Sequence, residues 1–205
     1  MITRCISFVI GTMVLSLGVV MAVKNPWGAA PWDVLHLAIA QRTGLTLGVA
    51  SIATSASLLL ITLTLGGGWS IRWGTLLNTV LAGIFIDFYL YVGIPDAGGV
   101  ALGVLYLLLG VFCLALGSVL YTRTGFGAGA RDGLTLVLSQ RLPYTVGAIR
   151  LALDAAAAFT GWALGGAIGL STLVIVLGTG PTTNLLFRFI GRGWLPATVR
   201  IPERA

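Results

Sequence analysis

The chain has 205 residues, 57% of them hydrophobic and only 9% Asp, Glu, Lys or Arg, against about 25% charged residues in an average soluble domain. Too little polar surface exists to clothe a soluble fold of this length, which argues against a cytosolic enzyme, a disordered chain and a secreted disulfide scaffold. The formal net charge of +6 comes from basic residues scattered singly between apolar runs, so it reads as topology information for insertion in a lipid bilayer and not as a nucleic-acid surface.

Six apolar stretches approach the roughly 20 residues needed to span a hydrocarbon core. They run from Ile6 to Val23, Leu45 to Leu65, Trp73 to Val92, Val100 to Tyr121, Thr145 to Leu164 and Ile168 to Ile190. Two further apolar segments, Trp32 to Gln41 and Arg131 to Gln140, follow Gly- or Pro-rich turns and have about half that length. Segments this short read as re-entrant, interfacial or broken helices. The sequence therefore predicts an all-α polytopic membrane bundle of six spans with two short broken or re-entrant helices. Residues 1–205 form a single membrane domain, and residues 191–205 a basic tail with Arg192, Arg200 and Arg204.

Displacing the chain by 99 positions aligns Leu17–Gly48 with Leu116–Gly147, and twelve of the 32 pairs are identical, which marks a duplicated unit. Gly28 falls on Gly127, Asp33 on Asp132 and Gly48 on Gly147; beyond a two-residue gap, Gly83 falls on Gly180 and Asp87 on Asn184. Repeat one covers about residues 6–94 and repeat two about 100–190. With the N-terminus inside, six spans put nearly all arginines in the cytoplasm and leave Lys24 and Arg42 outside. The positive-inside rule thus favours two copies of opposite orientation, with both termini cytoplasmic.

The turns around Gly28 and Pro31, and around Gly127 and Gly129, interrupt helices and expose backbone groups that cannot face lipid. Paired interruptions at matching places in inverted halves point to a transport site, while sharp surface connections are the plain alternative. Asp33 and Asp132 lie in the first turn of their short helices, where they either start the helix or bind a proton, cation or amine. His36, with Thr135 as its counterpart, reads as local. Arg150 and Asp154 share a helix face and can pair; their counterparts are Ser51 and Ser55. Gly180 and Pro181 place a proline inside a span, which predicts a kinked or unwound helix near Asn184. Gly161 and Gly165 can pack helices within the chain or between two copies in a homodimer. No catalytic motif, metal cluster or cofactor signature is present, so the sequence indicates neither an enzyme nor a cofactor.

Read together, Gly28 through Asp33-Val34-Leu35, Gly127 through Arg131-Asp132-Gly133-Leu134, Gly147 with Arg150 and Asp154, and Gly180-Pro181 resemble the bacterial YczE/YyaS/YitT-type integral membrane proteins. The resemblance covers about Gly18 to Phe187 and implies a bacterial multi-pass membrane protein, without supplying a substrate or catalytic residues. Where that family tends to carry Glu, this chain has Asp154. The expectation is a transporter of a small polar or ionic solute, with proton coupling an option. Its pathway would include Asp33, Asp132, Asp87, Arg150, Asp154 and Asn184. A non-transporting scaffold that binds a partner, or a small channel, is the alternative.

Overall fold

The structure, a computed structural model, describes residues 1–127 and 129–190. The expected tail at 191–205 lies outside the described residues. Eight α-helices follow in order: α1 (Ile2–Val23), α2 (Pro31–Thr43), α3 (Leu47–Thr64), α4 (Trp73–Val92), α5 (Gly99–Thr122), α6 (Ala130–Arg141), α7 (Val146–Ala163) and α8 (Leu170–Ile190), with one 3-10 turn at Gly68–Ser70. Every predicted stretch is a helix, and α2 and α6 are the two short ones, of 13 and 12 residues.

Among the described residues, five helices, α1, α3, α4, α5 and α8, are long and apolar enough to cross a membrane. The sixth expected span, α7, has 18 residues like α3 but carries Arg150 and Asp154, which lower its apolarity. Pro181 lies inside α8, yet the helix runs unbroken from Leu170 to Ile190, so the expected unwinding there is not observed. Large apolar side chains such as Leu77, Ile84, Leu108, Leu173 and Leu177 stand exposed on the outer faces. Apolar surface on this scale is tolerable only against lipid or another protein.

The two long helices α1 and α5 form the central seam. They run antiparallel, because Gly11 faces Leu120 and Tyr121 while Gly18 faces Gly110 and Leu114. Small residues let the backbones approach closely. A Cβ on Gly11 would stand 2.6 Å from the Tyr121 nitrogen, and one on Gly18 2.7 Å from the Leu114 nitrogen. α4 lies against α1, joined by a hydrogen bond from Asn78 Nδ2 to Thr12 Oγ1 (3.0 Å) and another from the Ser16 hydroxyl to the Ala82 carbonyl (3.1 Å). α8 packs on α5 in the same way that α4 packs on α1.

α3 and α7 begin alike. Thr46 and Thr145 each cap their helix, accepting the amides of Val49 and Ala148 at 3.2 Å, the usual service of an N-terminal hydroxyl. Their ends are also matched. Arg42 donates to the Leu164 carbonyl at the end of α7 (2.8 Å), and Arg141 donates to the Leu65 carbonyl at the end of α3 (2.6 Å). Each arginine satisfies a carbonyl that the ending helix leaves free, which gives the outlying Arg42 its local purpose.

The seam predicts a sharp contrast between two glycines of one helix. Gly117→Ala should lower thermal stability in detergent by about 1–3 kcal/mol, because its Cβ would run into the Leu15 backbone. Gly110→Ala, whose Cβ meets nothing nearer than 3.5 Å, should be neutral or stabilising by up to about 1 kcal/mol through helix propensity.

Candidate functional site

The site is built by the two glycine-rich turns. Gly28 has φ +106° and Gly127 φ +147°, backbone that side chains other than glycine's disfavour. Neither has room for a Cβ. At Gly28 it would stand 2.7 Å from the Gly169 nitrogen, and at Gly127 2.6 Å from the Thr75 hydroxyl. Each turn therefore presses onto the start of a long helix from the other half of the chain. The Ser171 amide donates to the Trp27 carbonyl (3.0 Å), and the Gly74 amide donates to the Phe126 carbonyl (3.1 Å). The first turn is further fixed by buried Asn25, which donates to the Gly103 carbonyl (2.7 Å) and accepts from the Trp27 amide (2.9 Å) and the Ser171 hydroxyl (3.0 Å). Thr172 adds a bond to the Ala29 carbonyl (2.7 Å).

Anchored in this way, α2 and α6 start beside one another. The Arg131 guanidinium lies over the Trp32 ring, 5.4 Å from its centroid, within range for a cation–π attraction. Trp32 also packs with Ala130, Leu134, Leu58, Leu59 and Ala157 in one buried cluster. Its indole N–H donates to Asp154 Oδ1 on α7 at 2.7 Å.

A cavity of about 390 Å³ opens beside this junction. Its polar lining includes Asp33, His36, Ser51, Ser55, Asp132, Arg150 and Asp154. Equivalent residues of the two halves line it together: Asp33 with Asp132, Ser51 with Arg150, Ser55 with Asp154, Pro31 with Ala130, and Leu15 with Leu114. The two carboxylates have unlike surroundings. Asp33 is only 2% exposed and has His36 Nδ1 at 3.4 Å. Asp132 accepts the Tyr121 hydroxyl at 3.2 Å and faces Arg150 at 3.5 Å, both ends of that ion pair being exposed. The N-cap positions of α2 and α6 are Ala30 and Gly129, which have no side chain to cap the helix, and Asp33 and Asp132 are the acids of the two first turns. His36 Nδ1 is buried without a hydrogen-bond partner, so the histidine that reads as local from the sequence belongs to the cavity.

Several expectations change at this point. Arg150 does not pair with Asp154 along α7; it reaches across to Asp132 on α6, and Trp32 takes Asp154. Arg131 and Arg150, counted with the cytoplasmic charges, line the cavity. Gly129, Pro31 and Gly180 line it too, whereas Gly28 and Gly127 act one step back as docking points. Asp87 is outside the lining: it accepts the Thr46 hydroxyl (2.6 Å) and the Gly48 amide (2.8 Å), clasping the start of α3 to α4. Its counterpart Asn184 is exposed and also outside the lining. Trp32, Arg131, Ser51 and Ser55 are site residues that the motif reading passed over. The signal for them was positional: each lies next to, or opposite in the repeat to, a charge already singled out.

The Trp32–Asp154 bond joins the short helix to α7 across 122 positions of sequence. In a double-mutant cycle, Trp32→Phe and Asp154→Asn should show a coupling of about 1–3 kcal/mol in thermal unfolding, as expected for a partly buried hydrogen bond to a charged group. Additive effects would mean that the contact contributes nothing.

Comparison with other proteins finds relatives at low identity over nearly the whole chain. An uncharacterised membrane protein of Bacillus subtilis, YczE, is 30% identical over 190 residues, covering 92% of this chain and 86% of that one. An uncharacterised protein of Haemophilus influenzae is 27% identical over 87% of this chain and 81% of its own. A second Bacillus subtilis protein, the uncharacterised YyaS, is 26% identical over 91% of this chain and 93% of its own. No solved structure matches the chain. The model of a family of unknown function, DUF6198, matches residues 2–188, so the chain belongs to that family, as a helical protein of the membrane.

Proposed function

We propose that this protein carries a small polar or ionic solute across the bacterial plasma membrane through the cavity between its two halves. One observation carries the reading: a cavity of about 390 Å³ is lined by equivalent residues of both halves, acids among them. Ionisable groups are costly inside an apolar bundle and persist where they face a pathway. Sites of this kind form between inverted repeats, at the ends of interrupted helices.

The inverted arrangement rests on three features. The helices of the first half recur in the second at equal order and nearly equal length. The equivalent helices α1 and α5 run antiparallel. The short helices begin together at Trp32 and Arg131 and diverge: α2 passes Gly161 toward the end of α7, and α6 passes Gly67 toward the end of α3. On this reading α2 and α6 enter from opposite faces and meet at mid-depth, and both chain termini lie in the cytoplasm. Asp33 and Asp132 bind the solute or a coupling proton. Arg150 supplies the positive charge that the first half lacks, and this lets the site recognise a solute that is not itself symmetric.

Two measurements test the proposal. In a chain whose Cys5 and Cys113 are replaced by Ser, Ser55→Cys should react with a membrane-impermeant thiol reagent from both faces of sealed vesicles, one face faster. Absence of reaction from either face would support the scaffold reading instead. In reconstituted vesicles screened with small ions and a pH-sensitive dye, Asp33→Asn with Asp132→Asn should abolish flux or its pH dependence. Unaltered flux in the double variant would reduce the two acids to helix starters.

A further inference from the structure

The two halves match in sequence but differ in one contact. α3 packs along α4, whereas α7 and α8 have no comparable packing. In the first half, Gly48 and Gly83 are buried against each other: a Cβ on Gly83 would stand 2.6 Å from the Gly48 carbonyl oxygen, and one on Gly48 2.7 Å from Asp87 Oδ2. Thr46 and the Gly48 amide donate to Asp87, so the start of α3 is clasped to α4. The second half holds the equivalent set, Thr145, Gly147, Gly180 and Asn184. There, Gly147 and Gly180 are exposed, and a Cβ on either would meet nothing within 4 Å. Both glycines line the cavity.

We infer that α7 closes onto α8 through Gly147 and Gly180, Asn184 accepting from Thr145 and the α7 start as Asp87 accepts from Thr46 and α3. When it does, α3 and α4 part, and the cavity changes the face to which it opens. The inference rests on the transport reading above and gives that site its gates. Two glycines with open space around them in one half, and at the point of closest approach in the other, are explained by a contact made at another time. With the N-terminus inside, the observed structure is closed at the outer face and open at the inner. The Asp-for-Asn difference sets this preference. A carboxylate accepts hydrogen bonds from a hydroxyl and a helix N-terminus more strongly than an amide oxygen does, so the α3–α4 clasp prevails over the α7–α8 clasp.

Cross-linking in membranes tests the closure. In the chain with Cys5→Ser and Cys113→Ser, one pair, Ala148→Cys with Leu185→Cys, reports the second half, and Val49→Cys with Phe88→Cys reports the first; all four positions are exposed beside the clasp residues, so the cysteines leave the glycine contacts intact. Both pairs should be linked within one chain by a short bifunctional maleimide, the first-half pair faster. Exchanging the acceptors, Asp87→Asn with Asn184→Asp, should speed the second-half pair by about tenfold and slow the first-half pair correspondingly. If the second-half pair never links in either background while the first-half pair does, the closure is refuted. A link at twice the chain mass also refutes it, because the glycines would then serve a second copy. Ser55→Cys separates this inference from the one it rests on. Reaction of Ser55→Cys without any second-half link removes the closure alone, whereas a second-half link with Ser55→Cys sealed from both faces removes the transport reading alone.

Discussion

An interrupted helix in an apolar chain must hand its freed backbone groups to some other part of the protein, because neither lipid nor packed side chains can take them. This constraint organises the whole molecule. The Trp27 and Phe126 carbonyls are taken by the first turns of α8 and α4, so each half of the chain completes the broken helix of the other. Within each turn a side chain takes an amide, Asn25 that of Trp27 and Thr124 that of Phe126, but the freed carbonyls need the other half. The exchange brings the starts of α2 and α6 together, and with them Asp33, Asp132 and Arg131, while Arg42 and Arg141 at the far ends reach the ends of α7 and α3.

Close approach of the backbones does the rest. Glycines along α1 and α5 bring the central seam into contact over its length, and glycines at the turns seat them on α4 and α8. Small residues at an interface trade side-chain burial for main-chain proximity, which suits a setting where burial of apolar groups contributes little to association. The consequence is a closely packed middle of α1, α5 and the docked turns. α7 packs on α2 and α6 but lies open along α8. Its counterpart α3 is held by Asp87.

The cavity joins two kinds of chemistry. Its symmetric part consists of the paired acids Asp33 and Asp132 at the starts of the short helices. Its asymmetric part is Arg150, Asp154 and His36, each matched in the repeat by an uncharged residue of the other half: Ser51, Ser55 and Thr135. Arg150 and Asp154, one turn apart on α7, take different partners because the Trp32 indole and the Asp132 carboxylate reach them first from neighbouring helices. Tertiary neighbours thus outweigh the attraction that spacing alone favours, which for an exposed helical pair is only about 0.2–0.5 kcal/mol.

Much of this architecture was written in local pattern. Apolar length marked α1, α3, α4, α5 and α8; Gly and Pro marked the turns; and self-similarity at 99 positions paired the elements. These features are legible because they depend on neighbours within a few residues or on the repeat itself. The partners of Arg150, the clasp made by Asp87, the place of His36 in the cavity and the unbroken course of α8 through Pro181 depended on which helices meet. Contacts such as Trp32 with Asp154, or Arg42 with Leu164, join residues 122 positions apart, and no local spacing encodes a distance that only the packed bundle creates. The difference between a closed α3–α4 pair and an open α7–α8 pair is of the same origin. One nearly repeated sequence supports both arrangements, and only the balance of contacts across the whole fold selects between them.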